Sequence, residues 1–344
     1  MKIGKKILSK NDKYLIAEIG HNHQGDLKKA LKLIKLAKES GADAVKFQKR
    51  NNKTLFTKDF YERPYDNPNS FGKTYGQHRD KLELNKKQFK EIFEYSHHLK
   101  IDCFVTPFDK ESVDFMDDFD LNIFKIASAD LNNHDLVHYI SQRKKTVILS
   151  TGGATLEQIK ETHDLIKSVN KNLIILHCTA AYPTRIEDMN LNVIKTLQNK
   201  FKNTPIGLSD HENGIDAALI AYMLGARVFE KHFTYDRAAK GTDHAFSLEP
   251  MGMARLSRNL ERVPKLLGSF KKRILDCEIE PIKKMSKSIY LKKKIKKNEI
   301  ITINDLVFKS PGIGLQPNKV SLIINKRINK DKPEGSLVLP EDVK

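Results

Sequence analysis

The chain of 344 residues has no Trp, only three cysteines, no tract of low complexity apart from one Lys-rich run, and no apolar stretch long enough to span a bilayer. The missing Trp excludes nothing. The cysteines, Cys103, Cys178 and Cys277, are odd in number and widely spaced, which excludes a disulfide scaffold and fits reduced thiols in a cytoplasm. Residues 1–13 are Lys-rich with no apolar run behind them, so neither an export signal nor a membrane anchor is expected. Acidic residues are also scarce relative to basic ones, 43 against 61, giving a formal charge of +18. Half of that excess lies in residues 271–344, where 18 basic residues face 9 acidic ones. The run KKKIKK at 292–297 lacks the interleaved aromatics of a nucleic-acid surface and reads as a solvated face.

What is present is a rhythm. Short runs rich in β-branched residues begin at Tyr14, Ala42, Asp102, Ile123, Thr146, Leu173, Pro205 and Arg227, and each is followed by a segment with helical spacing. The clearest helix starts at Asp26, carries Leu27, Ala30, Leu31, Ile34 and Ala37 on one stripe, and stops at Gly41. Eight such units in about 270 residues predict a (β/α)8 TIM barrel. An open doubly wound sheet is the other arrangement considered, but GHNHQGD after the first strand is a poor Gly-rich nucleotide turn. The stretch from Lys49 to Leu84 breaks the rhythm as a long polar loop, and loops of that length on a barrel are usually functional. The composition divides the chain into a barrel over 1–268, a linker over 269–286 and a small β-rich domain over 287–344, with turn signals at Lys297-Asn298, Pro311-Gly312 and Glu334-Gly335.

Catalytic groups of such barrels sit at the C-terminal ends of the strands. Polar residues fall there in this chain: Glu18, Lys46, Gln48, Thr106, Lys125, Ser128, Ser150, Ser209, His211, Glu230 and His232. Alternation puts Lys46 with Gln48, Ser209 with His211, and Glu230 with His232 on common faces. Two histidines on neighbouring strands could hold a divalent cation, or each could be a hydrogen-bonded core residue. Lys46 and Lys125 inside a barrel require anionic company. That company is a phosphate and carboxylate ligand helped by the hydroxyls, a carbonyl substrate held as a Schiff base, or internal pairing with Glu18 or Glu230. Tyr182 after the sixth strand and Asp243 after the eighth could contact a polar ligand such as a sugar.

Taken in order, the strings AEIGHNHQGD, GADAVKFQ, TPFDKESVDF, FKIASAD, ILSTGGAT, LHCTAAYPTRIEDMNL, IGLSDHENGI, LGARVFEKHFT and GTDHAFSLEP resemble the sialic acid synthase family, and the tail resembles its antifreeze-like (SAF) domain. The resemblance implies condensation of phosphoenolpyruvate with an N-acetylmannosamine-like amino sugar or its 6-phosphate, or with the sugars leading to legionaminic or pseudaminic acids. It implies that His211 and His232 bind Mn²⁺ or Mg²⁺, which polarises the aldehyde, with Glu18 as a nearby acid/base. Lys46, Thr106, Lys125, Ser128, Ser150 and Ser209 would hold phosphoenolpyruvate, and Gln48, Tyr182 and Asp243 the sugar. It further implies a homodimer whose SAF domain covers the neighbour's barrel; the lack of aromatics around KKKIKK and of a long apolar run leads to no expected nucleic-acid or membrane partner.

Two positions depart from the family pattern. Ala180 stands where many members carry Asn, and Ser310 where many carry an Arg that reaches the N-acetyl group across the dimer. The GKTYG and GTDH strings are closer to the branch that includes synthases of sugar acid 9-phosphates. Two further readings remain at this point: a metal-free aldolase with Lys125 as Schiff base, and a non-catalytic protein binding through its basic tail.

Overall fold

The computed structural model describes residues 2–4, 6–9 and 11–344. Eight parallel strands close into a barrel: β1 Tyr14–Gly20, β2 Ala44–Lys49, β3 Asp102–Pro107, β4 Ile123–Ile126, β5 Thr146–Ser150, β6 Leu173–Cys178, β7 Ile206–Asp210 and β8 Val228–His232. Each strand pairs with its sequence neighbour, and β8 returns to β1 through Val228 opposite Tyr14 and His232 opposite Glu18. The TIM barrel expected from the sequence is therefore present, strand for strand.

Strand alternation explains why it closes. Outward residues such as Leu15, Ala17, Ile19, Val45, Phe47 and Val147 join one large core beneath the surrounding helices. The first helix, Leu27–Glu39, is capped by Asp26, whose side chain accepts from the Lys29 N–H, and buries Ala30, Leu33, Ile34 and Ala37. Inward residues form layers along the barrel axis. The lower layer is apolar, with Tyr14, Ile16, Ala44, Phe104, Ile123, Ile148, Ile174, Leu176 and Val228 packed with Ile3 and Leu8. Gly207 belongs to this layer because a Cβ there would lie 2.3 Å from the Val228 carbonyl oxygen and 2.6 Å from Leu176 Cδ2. Two residues further along each strand the same inward register carries Glu18, Lys46, Thr106, Lys125, Ser150, Cys178, Ser209 and Glu230. Each fully buried Ile, Leu or Phe contributes about 1.5–3 kcal/mol, and this floor helps offset the cost of the charged layer above it.

The stretch between β2 and the helix Lys86–His98 is more ordered than a polar loop. It holds three short helices, Asn52–Leu55, Lys58–Glu62 and Tyr75–Leu82, joined through a Pro64–Thr74 bridge and the rings of Phe56, Phe60, Tyr65 and Tyr75. Local caps drive this, with the Thr57 and Thr74 side chains accepting from the N–H groups of Phe60 and Gln77.

Contacts divide the chain between Gly268 and Ser269. The second unit begins in the segment expected as a linker, part of which forms a helix, Asp276–Met285. Its sheet pairs β9 Ser288–Leu291 with β10 Leu306–Lys309 in antiparallel fashion, over a core of Ile289, Leu291, Ile295, Ile301, Leu306, Ile323, Ile328 and Val338. The turn residues Asn298 and Gly335 take positive φ of 71° and 78°, the conformation that Asn and Gly tolerate. No helix among the described residues is long and apolar enough to cross a membrane.

Candidate active site

A cavity of about 680 Å³ opens at the C-terminal end of the barrel. Every residue singled out from the sequence lines it: Glu18, Lys46, Gln48, Thr106, Lys125, Ser128, Ser150, Tyr182, Ser209, His211, His232 and Asp243. Strand alternation delivers Glu18, Lys46, Gln48, Thr106, Lys125, Ser150, Ser209 and His232 above the apolar floor, while Ser128, Tyr182, His211 and Asp243 come from the connections that follow the strands.

At the base of the cavity two lysines and two carboxylates interlock. Lys46 Nζ lies 2.9 Å from Glu18 Oε2 and 3.8 Å from Glu230 Oε2, and it donates to Thr106 Oγ1 at 2.9 Å. Lys125 Nζ donates to Ser150 Oγ at 2.6 Å and stands 3.5 Å from Glu230 Oε1, which also accepts from Ser209 Oγ at 3.0 Å. Internal pairing, one of the alternatives left open by the sequence, is thus realised. It does not serve both lysines equally. Burial lowers the affinity of either amine for its proton, yet Glu18 and Glu230 outweigh this at Lys46 and raise its pKa, whereas at Lys125 burial prevails. The carboxylates also diverge. Burial lifts the Glu18 pKa, with the Glu230 charge adding to it against the pull of Lys46; at Glu230 the Lys125 and Lys46 charges overcome burial and hold it down. Divergence of this kind gives one carboxyl a proton to exchange near neutrality and keeps the other ionised.

Above this layer, His211 and His232 stand 5.4 Å apart between ring centroids. The Tyr182 ring lies 4.2 Å from His211, and Phe246 lies 4.8 Å from His232. Burial depresses both imidazoles to about 4, so both are neutral at physiological pH. His211 donates from Nδ1 to the Thr179 carbonyl at 3.0 Å, which leaves Nε2 as its lone-pair nitrogen. His232 Nδ1 is buried with no hydrogen-bond partner, 3.7 Å from Asp243 Oδ2. A neutral pair with one tautomer fixed and one orphaned ring nitrogen fits a divalent cation as two of its ligands. Among the described residues no group of three or more His, Cys, Asp and Glu is arranged to hold a metal, so water or ligand oxygens would complete the shell. Outside the barrel face, Lys231 and Asp210 form a buried ion pair of 2.8 Å between β8 and β7, beside both histidines.

The sequence profile of the NeuB family matches residues 33–272, and that of the SAF domain matches residues 286–344. The chain belongs to the NeuB family. Among proteins related to this NeuB-family chain, the N-acetylneuraminate-9-phosphate synthase of Homo sapiens is 37% identical over 329 residues, 95% of this chain and 92% of that one. The N,N'-diacetyllegionaminic acid synthase of Campylobacter jejuni is 37% identical over 328 residues, 94% and 98% of the two chains. A solved structure of the N-acetylneuraminic acid synthetase from Leptospira borgpetersenii, in complex with citrate, superposes with a TM-score of 0.70 at 35% identity, covering 82% of this chain and 94% of that one.

The NeuB-family cavity also contains residues that sequence reasoning passed over. His21, Arg50, Asn69 and Arg79 line it. Arg50 continues the alternation of Lys46 and Gln48, a signal that was available. Asn69 and Arg79 come from the helical stretch after β2, and only folding brings them to the mouth, where Asn69 Oδ1 accepts the Gly241 N–H at 3.1 Å. Of the two departures, Ala180 lines the cavity beside Gly152, where an added Cβ would lie 2.8 Å from Ala180 Cβ. Ser310 in the tail accepts from Lys287 Nζ at 2.7 Å and donates to the Met285 carbonyl at 3.1 Å.

Proposed function

We propose that this chain condenses phosphoenolpyruvate with an N-acetylmannosamine-like amino sugar, or its 6-phosphate, to give a nine-carbon 2-keto-3-deoxy sugar acid and phosphate. The observation that carries the reading is one cavity holding an under-compensated lysine cradle directly below two neutral imidazoles. Legionaminic and pseudaminic acid synthesis are the same reaction with other acceptors.

Lys46 and Lys125, with the hydroxyls of Thr106, Ser128, Ser150 and Ser209, bind the phosphate and carboxylate of phosphoenolpyruvate. The charge of the anion adds to that of Glu230, 3.5 Å from Lys125 Nζ. Gln48, Tyr182 and Asp243 face the amino sugar. Carbon 3 of phosphoenolpyruvate attacks the aldehyde carbon of the open-chain sugar, water adds at carbon 2 and returns a proton to the Glu18 carboxylate, and the C–O bond to phosphate breaks as the carbon 2 hydroxyl becomes the ketone and its proton leaves with phosphate. Glu18, its carboxyl raised in pKa and oriented by Gln48 Nε2 at 2.8 Å, gives its proton to the oxygen of the former aldehyde. Glu230 stays ionised and offsets part of the charge of the two lysines. A Mn²⁺ or Mg²⁺ ion, when bound by His211 and His232, supplies Lewis-acid polarisation of the aldehyde.

The protein acts as a homodimer in the cytoplasm, its SAF domain covering the neighbour's barrel. The three free cysteines are consistent with a reducing compartment, and sedimentation showing an active monomer would overturn the dimer. The reaction itself is tested by following phosphate release from phosphoenolpyruvate with Mn²⁺ and a panel of N-acetylmannosamine, its 6-phosphate, mannose and diacetamido sugars. Release with none of them would refute the reading.

A further inference from the structure

The outward rows of β7 and β8 carry two charges that the chemistry above does not use. Strand alternation turns Leu208 and Phe229 into the apolar core beneath the helices. The same parity sends Asp210 and Lys231 outward, opposite each other in register. Each side chain is only 2% exposed, and Lys231 Nζ lies 2.8 Å from Asp210 Oδ2. A buried ion pair adds little net stability over well-packed apolar residues, so stability is a weak reason for two charges here.

The hydrogen bonds of the pair reach further than the two strands. Asp210 Oδ1 accepts from the Glu212 N–H at 2.8 Å, and Lys231 Nζ also donates to the Glu212 carbonyl. Glu212 directly follows His211. The His211 carbonyl accepts from the Thr184 N–H at 3.1 Å, and its ring donates to the Thr179 carbonyl. The peptide between His211 and Glu212 is thus held at both ends, at its N–H by Asp210 and at its carbonyl by Thr184, and Lys231 holds the carbonyl of the next. Lys231 is in turn the residue before His232.

Backbone pairing alone does not set the two imidazoles against each other. The register of β7 with β8 runs from Leu208 opposite Phe229 to Asp210 opposite Lys231, and both histidines lie one residue beyond its end. His232 has a second anchor in β1, where it pairs with Glu18, whereas His211 lies past the last residue of β7. We infer that Asp210 and Lys231 are positioning residues: their bridge carries the register of β7 and β8 past the last ladder pair and holds the His211 ring beside the His232 ring, so that both serve one divalent cation. This rests on the metal reading given above.

The double variant Lys231→Met/Asp210→Asn removes both charges and the bond to the Glu212 carbonyl, yet leaves an amide oxygen for the Glu212 N–H. Mn²⁺ binding to the full-length, substrate-free protein is measured by electron paramagnetic resonance. The variant is expected to stay folded by circular dichroism and to bind Mn²⁺ about 10- to 100-fold more weakly, the range for loss of an outer-shell partner of a metal ligand. In phosphate release, the Mn²⁺ concentration giving half the maximal rate should rise in parallel. KM for phosphoenolpyruvate, whose lysines and hydroxyls lie on the inward face, should change little. Asp210→Asn alone, which leaves Lys231 its bond to the Glu212 carbonyl, should weaken Mn²⁺ binding by a smaller factor and carries the test where the double variant does not fold. Unchanged Mn²⁺ affinity in a folded variant would reduce the pair to a link between strands and overturn the inference, as would a rise in KM for phosphoenolpyruvate equal to the loss of Mn²⁺ affinity. A parent protein that binds no Mn²⁺ would instead refute the metal reading, and the inference with it.

Discussion

Lys46 Nζ and Glu18 Oε2 form an ion pair of 2.9 Å in which both side chains are almost fully buried, between neighbouring strands and in matching register. A buried pair of this kind adds little net stability over an apolar substitute, but removal of one partner leaves an uncompensated charge. Lys46→Met is therefore expected to cost about 3–5 kcal/mol in urea unfolding and to raise KM for phosphoenolpyruvate steeply. The double variant Lys46→Met/Glu18→Gln should recover most of the stability and none of the turnover. A double variant no more stable than Lys46→Met would show that the pair does not act as a unit.

His232 has an unpartnered Nδ1, and its ring lies within the aromatic wall formed by Tyr182 and Phe246. His232→Ala is expected to remain folded by circular dichroism and to weaken Mn²⁺ binding by more than the ~100-fold upper range for loss of an outer-shell partner, with phosphate release falling to near background. Turnover retained with the same metal dependence would remove His232 from the ligand set.

Much of this site was legible from period-two alternation alone. Once Lys46, Lys125, Ser209 and Glu230 are placed near strand ends, the parity that makes Ile16, Phe104 and Ile148 floor residues makes these the polar layer above. What alternation cannot supply is partnership. Whether Lys125 pairs with Glu230 or waits for a ligand depends on a separation of 3.5 Å, against 2.9 Å for Lys46 with Glu18, and spacing along the chain carries no such information. Arg79 was hidden for another reason. It sits on a short helix of a stretch whose polar, Pro- and Gly-containing composition reads as loop, and its approach to His21 spans 58 residues of sequence. In the tail, the hydrophobic residues are too short-ranged in pattern to reveal the bridges Ile295–Lys332 and Ile300–Arg327 that organise it.

The Schiff-base alternative makes a distinct prediction at Lys125. Its amine is buried against Ser150 Oγ and Glu230, and burial makes it easier to deprotonate than a surface lysine, which is the property an imine-forming lysine would need. Under the condensation reading it serves as a cation instead. Treatment with pyruvate and borohydride should leave the intact mass unchanged, while EDTA abolishes phosphate release. A covalent adduct on Lys125 would reverse the assignment.

The tail carries a pH dependence of its own. Asp305 is buried, which alone would raise its pKa, but Lys293 at 2.7 Å and the Thr302 hydroxyl and N–H outweigh that and lower it. Asp342, beside Lys330 and Lys332, is lowered for the same reason. A folded-state pKa below the unfolded value of about 3.9 means that these carboxylates stabilise the folded tail fully above that value. The contribution disappears as the pH falls through the folded pKa. Scanning calorimetry of the full chain between pH 6 and pH 2 should therefore show the transition that Asp305→Asn perturbs moving to lower temperature below about pH 4. In Asp305→Asn that transition should start lower at pH 6 and depend less on pH. A variant with the same acid dependence as the parent would place the titrating group elsewhere.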